Sequence, residues 1–249
     1  MYKKRFLRLV SAVLALCMMA ALLPTAAFAA DPEPTPTPAS SFTFSYDEDT
    51  KTASVTGFTG SETEIVIPGT VEYKGTSYSV TSIGAEALKK CSATSIRIPA
   101  SVTKIEKNAI YRCDSLKTVT FEENSQLTSI GWMAFYYNKA LKSVEIPVGV
   151  TSIGDSAFGE CDSLTGIKIP SSVTTIGEKA FNKCFALNEI IIPSSVTSIG
   201  KDAFRFCRGL KSVQFKENSK LTSIPDGVFE YCSNLKSVKL PSSITSIGE

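Results

Sequence analysis

The feature that most constrains this chain is a repeat of about 23 residues. Residues 192–210 read IPSSVTSIGKDAFRFCRGL and nearly copy residues 169–187, IPSSVTTIGEKAFNKCFAL. An isoleucine that usually precedes glycine recurs at intervals of 22 to 25 residues. Repeats of this length are typical of solenoids, in which each unit buries its apolar face only against its neighbours. The recurring residues are Ile83, Ile105, Ile130, Ile153, Ile176, Ile199, Ile224 and Ile247.

One unit, CDSLTGIKIPSSVTTIGEKAF, shows what each position does. Leu164, Ile167 and Ile169 follow the alternation of a strand with one apolar side inward. The proline after most strands cannot donate a ladder hydrogen bond, so it predicts where strand pairing stops; these prolines are Pro99, Pro147, Pro170, Pro193 and Pro241. Gly177 is expected to turn the chain, and the E-K-A-F-N-K-C segment after it is long enough for about two helical turns.

The pattern resembles the BspA-type leucine-rich repeats of bacterial surface proteins. The motifs that carry the resemblance are IPSSVTSIGKDAFRFC, IPSSVTTIGEKAFNKC and IPVGVTSIGDSAFGEC, and it covers roughly residues 81–249. The resemblance implies an α/β repeat solenoid, a right-handed leucine-rich-repeat superhelix of short strands and short helical turns, on the outside of a bacterial cell. Proteins of this type are associated with adhesion to host proteins or to other cells.

The segments outside the repeat indicate export. A basic start, an apolar run and an A-x-A cleavage pattern identify residues 1–30 as a secretory signal peptide. Residues 31–41, DPEPTPTPASS, read as an extended linker, and residues 42–80 as an N-terminal β cap with two strands around an acidic turn. The repeats at 81–249 stop inside a unit, so we expect the natural protein to be longer. We expect no transmembrane segment after signal cleavage.

Charge and histidine content exclude several functions. The four charges of residues 1–30 are all basic, and removing them leaves 22 basic against 24 acidic residues, which gives no reason to expect a nucleic-acid partner. The chain has no histidine, which excludes Ser-His-Asp and Cys-His nucleophilic sites and the usual histidine metal sites. We therefore predict no catalytic residue, no cofactor and no metal.

Six cysteines and one asparagine recur at the same position of successive units. Asparagine cannot form a disulfide but donates a hydrogen bond, as a thiol does more weakly. The position therefore favours a small inward-facing donor and buried free thiols. Disulfides between neighbouring units stay open as an alternative, because the ~4.8 Å strand spacing is compatible with them. This Cys/Asn ladder comprises Cys91, Cys113, Asn138, Cys161, Cys184, Cys207 and Cys232.

Outward positions of a solenoid are free to carry binding specificity, and three groups depart from the pattern. The first is an aromatic cluster where other units have mostly charged, polar or small residues; it comprises Tyr111, Trp132, Met133, Tyr136 and Tyr137. The second is a pair of loops, residues 122–125 and 216–219, in the two 25-residue units. The third is a set of strand-side lysines that predicts a basic stripe: Lys117, Lys142, Lys168, Lys211 and Lys236. Each group has an alternative interpretation as ordinary solvated surface or side-by-side packing.

These observations predict a secreted or cell-surface, non-catalytic protein that mediates adhesion or recognition of an extracellular protein or glycan. Two alternatives remain open from the sequence. In the first alternative, the repeats are a targeting module of a larger exported enzyme. In the second, they are a structural spacer of the cell envelope.

Overall fold

The computed structural model describes residues 35–249, whose repeats form a β-solenoid of about nine turns. Each turn, called a coil below, has three sides. A strand side carries the longer strands, a second side carries strands of two residues, and a turn side closes the coil. Residues 1–30 and the first four residues of the predicted linker, 31–34, lie outside the described residues.

Two hairpins precede the regular coils. The strands predicted around the acidic turn are present: β1 (Phe42–Asp47) and β2 (Thr52–Phe58) pair antiparallel. A 3-10 helix, Ala39–Ser41, leads into β1. The second hairpin joins β4 (Thr70–Tyr73) to β5 (Thr76–Ile83) through two residues with positive φ, as the common two-residue hairpin turn requires. Strand β2 pairs in parallel with β5, so the first hairpin adds to the second side of the solenoid.

The strand side stacks one strand per coil. Strand β3 (Glu64–Val66), within the segment predicted as the cap, already pairs with β6 (Ser95–Ile98). The sheet continues through β8 (Thr118–Phe121), β10 (Ser143–Glu145) and β12 (Gly166–Lys168), and β14 (Glu189–Ile192) pairs with β16 (Ser212–Phe215). All these pairs are parallel, and β6 and β14 end immediately before a proline, as predicted.

The second side brings the recurring isoleucines into register. From β5 the sheet runs through β7 (Lys104–Ile105), β9 (Ser129–Ile130), β11 (Ser152–Ile153), β13 (Thr175–Ile176) and β15 (Ser198–Ile199). Strands β17 (Ser223–Ile224) and β18 (Ser246–Ile247) pair in the same way. The glycine that follows has a different role from the predicted turn. A Cβ on Gly200 would lie 2.3 Å from the backbone nitrogen of Glu178, so glycine permits the close approach of neighbouring coils.

The prediction of helical turns is wrong. In the E-K-A-F-N-K-C segment, Lys179 and Lys183 have φ of 55° and 59°, which no right-handed helix contains. Three overlapping β-turns replace the helix, with N–H···O bonds from Ala180 to Gly177, Asn182 to Lys179 and Cys184 to Phe181. The short 3-10 helix before β1 is the only helix in residues 35–249.

The neighbouring coil supplies the reason. A left-handed residue other than glycine costs roughly 1–2 kcal/mol. In return, alternate N–H groups of the segment point along the solenoid axis and donate to the next coil: Lys179 to Lys201, Phe181 to Ala203 and Lys183 to Arg205, at 2.8–3.0 Å. A helix satisfies its N–H groups within itself and would leave the coils unbonded on this side. Stacking therefore overrides the local helical preference.

The core is a set of columns parallel to the axis. Phe135, Phe158, Phe181 and Phe204 have no exposed surface, and their rings stack at 5.1–5.5 Å with interplanar angles of 1–6°. An alanine precedes each of them and is also buried. Each of these coils therefore buries a small and a large residue next to each other.

Candidate functional site

The predicted aromatic cluster lies on the turn side of two neighbouring coils. The rings of Tyr111 and Tyr136 stack at 5.9 Å with an interplanar angle of 7°, and Tyr137 lies 6.2 Å from Tyr136. Trp132 is 48% exposed, whereas Met133 and the tyrosines are half-buried. Met133 and Tyr137 occupy the two left-handed positions of their coil. The turn geometry thus directs Phe135 into the core and leaves its aromatic neighbours at the surface.

Cations surround these rings. The Lys139 ammonium lies 4.4 Å and the Arg112 guanidinium 5.0 Å from the centroid of Tyr137, and the Lys89 ammonium lies 5.8 Å from that of Tyr111. Lys89 is paired with Glu86 at 3.0 Å. Lys90 and Arg112 occupy equivalent positions of adjacent coils, and neither forms an ion pair with any residue of 35–249. Neither residue was predicted from the sequence, although each directly precedes a ladder cysteine, in the segments KKC and YRC.

These side chains border a surface pocket of about 370 Å³. The Oδ1 atom of Asn108, a residue of the pocket wall, is buried and accepts no hydrogen bond within residues 35–249. An unsatisfied buried acceptor is rare in folded proteins and favours a donor from outside. We call this region the aromatic–basic patch; its pocket is lined by Lys89, Lys90, Asn108, Tyr111, Arg112, Trp132 and Met133, and Tyr136 and Tyr137 adjoin it.

Tyr136 is the anchored member of the cluster. Burial raises the pKa of its phenol, and a hydrogen bond with Glu160 raises it further. Glu160 is in turn held by Lys183 at 2.8 Å. Tyr136 is therefore fixed from the following coil, whereas Trp132 presents its ring to solvent.

The strand-side lysines form a less continuous surface than predicted. Lys117 and Lys142 are exposed and adjacent, because the N–H of Lys142 donates to the carbonyl of Lys117. Thr165 and Asn188 occupy the next two coils at this position and separate them from Lys211 and Lys236. The remaining member, Lys168, is paired with Glu145 at 2.6 Å. The structure therefore gives two separated pairs of lysines.

The strand side also contains a shallow depression that the sequence analysis missed. Gly166 stands where other strands carry serine, threonine or glutamate, and a Cβ placed on it would meet no atom within 4 Å. The depression has a volume of about 650 Å³, and Ile191, 40% exposed, lies on its rim. A lone glycine inside a strand pattern was the available signal.

The two predicted loops have the same backbone. Asn124 and Asn218 each have φ of 57°. In the first loop, Glu122 accepts a hydrogen bond from the N–H of Ala100 at 3.1 Å and lies 3.6 Å from Arg97. Residues of this loop line a surface pocket of about 540 Å³ together with Val148, which is 80% exposed.

The Cys/Asn ladder lies at the end of the turn side. The thiols of Cys113, Cys161, Cys184, Cys207 and Cys232 each donate to a carbonyl of the preceding coil at 3.0–3.3 Å. Asn138 donates to Ile110 and Phe135 and accepts from the N–H of Cys113 at 2.7 Å. Cys91 begins the ladder and contacts Cys113, with 2.8 Å between the sulfurs. No cysteine in residues 35–249 is in a disulfide.

Between 35 and 249, no three Cys, Asp or Glu side chains converge as metal ligands would. In the same range, no helix has the length and apolar character needed to cross a membrane.

Comparison with known families identifies the repeat. A model of the BspA-type leucine-rich repeat region matches residues 69–162 and 128–249, in six copies. The chain belongs to the BspA-type leucine-rich repeat family. Leucine-rich repeat proteins generally serve as non-catalytic binding modules.

Solved structures of the family are similar in fold. A leucine-rich cell surface protein of Faecalibacterium prausnitzii is 32% identical, with 88% of this chain and 74% of that one covered and a TM-score of 0.57. The leucine-rich repeat protein of T. pallidum is 28% identical, covered over 86% of both chains, with a TM-score of 0.61. A leucine-rich repeat protein of Bacteroides ovatus is 27% identical over 84% of this chain and 54% of that one, with a TM-score of 0.60. A search of functionally curated proteins gives no match.

Proposed function

We propose that this BspA-type protein is a non-catalytic recognition protein of the bacterial cell surface, and that its aromatic–basic patch binds the partner. Two facts support the location: the signal-peptide pattern in residues 1–30 and the similarity to a cell surface protein of Faecalibacterium prausnitzii. The partner is an extracellular protein or glycan that carries acidic groups.

One observation carries the proposal: the exposed ring of Trp132 lies in the same pocket wall as two cations that have no acidic partner in residues 35–249. Exposed aromatic side chains and arginines are the residue types that dominate binding energy at interfaces. Two like charges on adjacent coils repel each other, and an acidic ligand relieves that repulsion. The ligand therefore pairs a flat or apolar face with a carboxylate or sulfate.

Direct binding measurements test this function. Heparin, hyaluronan, fibronectin and fibrinogen are immobilised in turn, and the affinity of the chain is measured by biolayer interferometry at two salt concentrations. Trp132→Ala and Arg112→Gln are each expected to weaken binding about 10-fold or more. The Arg112→Gln variant should also show a weaker salt dependence, because it removes a screened charge.

Tyr231→Ala is the matched control. Tyr231 is 56% exposed, stacks on Phe206 at 4.5 Å and occupies the position of Tyr137 four coils further along. Its removal is expected to leave the affinity unchanged. Equal affinities for the wild type, the two patch variants and the control would contradict the role of the patch. No saturable binding to any acidic glycan or protein would favour the spacer alternative.

The strand side is a second candidate surface. The depression at Gly166 supports it, as do the adjacent Lys117 and Lys142, which form no ion pair within residues 35–249. A Gly166→Lys substitution fills the depression without touching the patch. Loss of binding in this variant, with full binding in Trp132→Ala, would move the proposed site to the strand side.

A further inference from the structure

The first pair of the Cys/Asn ladder differs from the later pairs in where its first thiol donates a hydrogen bond. Each thiol from Cys113 onward points back and donates to a carbonyl located three residues before the ladder position of the preceding coil. Cys91 begins the ladder, and the segment before it is the pair of hairpins rather than a regular coil. Its thiol donates to no carbonyl of residues 35–249 and points forward, at the sulfur of Cys113.

The pair also differs in accessibility. Cys161, Cys184 and Cys207 have no exposed surface, and burial raises the pKa of the Cys161 and Cys184 thiols. Cys91 is only half-buried and lines a surface pocket of about 410 Å³ together with Lys90, Arg112 and Asp114. The contact with the Cys113 sulfur lowers the pKa of the Cys91 thiol, which favours the thiolate, the reactive form of cysteine. An oxidant in solution can therefore reach Cys91 but not Cys161, Cys184 or Cys207.

We propose that Cys91 and Cys113 are a disulfide-forming site that cross-links the first two ladder coils when the chain meets a small disulfide oxidant. Stacking at the parallel-strand spacing places their Cα atoms within the range that a disulfide bridges. Cys113 gives up its hydrogen bond to the carbonyl of Leu88, and Cys91 has no such bond to lose. In the inner pairs both thiols would lose one.

The chemistry is thiol–disulfide exchange in two steps. The Cys91 thiolate attacks one sulfur of the oxidant, which breaks the oxidant's S–S bond and releases one thiolate. The Cys113 thiolate then attacks the Cys91 sulfur of the mixed disulfide and releases the second thiolate. The protein pair loses two electrons and two protons, and the oxidant is reduced to two thiols that take up those protons.

The cross-link joins two cysteines that are 22 residues apart in the sequence and closes the chain between them into a loop. Such a loop restricts the unfolded chain and stabilises the folded one. It also ties together the two coils that carry Lys90 and Arg112. The coil of Lys90 is the first regular coil, so a regular neighbour lies on one side of it only.

The test oxidises the folded full chain with oxidised glutathione. The free-thiol titre in denaturant is expected to fall by two, and peptide mapping by mass spectrometry is expected to find Cys91 joined to Cys113. The midpoint of thermal unfolding should rise by roughly 5 °C or more relative to the reduced chain. Cys91→Ser should abolish the loss of thiols, whereas the matched control Cys184→Ser should still lose two.

Other results overturn the proposal. These are an unchanged thiol titre in the wild type, a stable glutathione adduct on Cys91 with Cys113 still free, or a cross-link between other ladder cysteines. Mapping of the wild type needs no variant, so poor folding of Cys91→Ser would not obscure the answer. Binding through the aromatic–basic patch is measured separately, and either result can fail alone.

Discussion

Two aromatic columns run along the same turn side and have opposite roles. In the inner column, Phe158 stacks between Phe135 and Phe181, and all three rings are fully buried. In the outer column, Tyr111 stacks on Tyr136, and Trp132 next to them is 48% exposed. The inner rings recur coil after coil, because each needs the next one to complete its packing. The outer rings occur only where a few coils depart from the pattern.

The comparison teaches that stacking alone does not assign a role. Ring separations of 5.1 Å inside and 5.9 Å outside are close to each other. Burial and the surrounding charges distinguish the columns: the inner rings contact apolar side chains, whereas the outer rings contact Arg112, Lys139 and Lys89. We expect inner substitutions to reduce stability and outer ones to reduce binding.

The largest effect is expected from the inner column. Phe158→Ala removes a fully buried ring from the middle of the stack, and such a change costs about 3–5 kcal/mol because the cavity collapses only partly. Urea unfolding followed by circular dichroism measures the loss. Phe158→Leu keeps most of the volume and should cost much less; equal losses for the two variants would contradict the packing account.

The next effect is expected at the break in the cysteine ladder. Asn138→Ala leaves the N–H of Cys113 and the carbonyl of Ile110 without their partner, and the carbonyl of Phe135 keeps only the Cys161 thiol; the expected cost is about 2–3 kcal/mol. Asn138→Cys supplies a thiol that can donate to the carbonyl of Ile110, as the ladder thiols of other coils donate to the equivalent carbonyl. It should therefore be more stable than Asn138→Ala, and an inverted order would show that hydrogen bonding does not decide this position.

A smaller effect is expected at alkaline pH. Burial raises the pKa of the Cys161 thiol to about 12, whereas an unfolded cysteine titrates near ~8.5. The unfolded chain therefore loses this proton first. The stabilisation is complete below pH ~8.5 and falls by up to about 1.4 kcal/mol per pH unit as the pH rises towards 12. Unfolding free energies of the reduced chain from pH 8 to 11 should fall less steeply for Cys161→Ser; parallel curves would be inconsistent with a titrating thiol.

The smallest effect on stability is expected in the outer column. Trp132→Ala removes a half-exposed ring and should change the free energy of unfolding by no more than about 0.5 kcal/mol. The same urea titration measures it. A loss comparable to that of Phe158→Ala would make Trp132 a core residue and erase the distinction between the columns.

The repeat made the solenoid predictable. The period, the inward isoleucines, the prolines that end strands and the Ala-Phe pairs are all visible in the sequence, because each recurs in several coils. The helical turns were wrong because a single unit does not reveal that alternate N–H groups, such as those of Lys179 and Phe181, bond to the neighbouring coil. These hydrogen bonds exist only when coils stack, so the conformation that they favour is not visible in one unit.

The candidate site was less accessible from the sequence. The aromatic members stood out because they replace charged, polar or small residues. Arg112 and Lys90 did not stand out, because charged residues are ordinary at outward positions. Only the lack of an ion pair within residues 35–249 distinguishes them. Conversely, Lys168 looked like part of a basic stripe until the structure placed Glu145 beside it.

The most direct test of the functional account uses the single tryptophan of the chain as its own reporter. Because Trp132 lies in the wall of the patch, an acidic ligand that binds there must change the environment of its indole ring. We predict a saturable change in tryptophan emission when a binding glycan or protein is titrated, with the midpoint shifted about 10-fold or more in Arg112→Gln. Binding that is demonstrated by interferometry and leaves the emission of Trp132 unchanged would contradict the account.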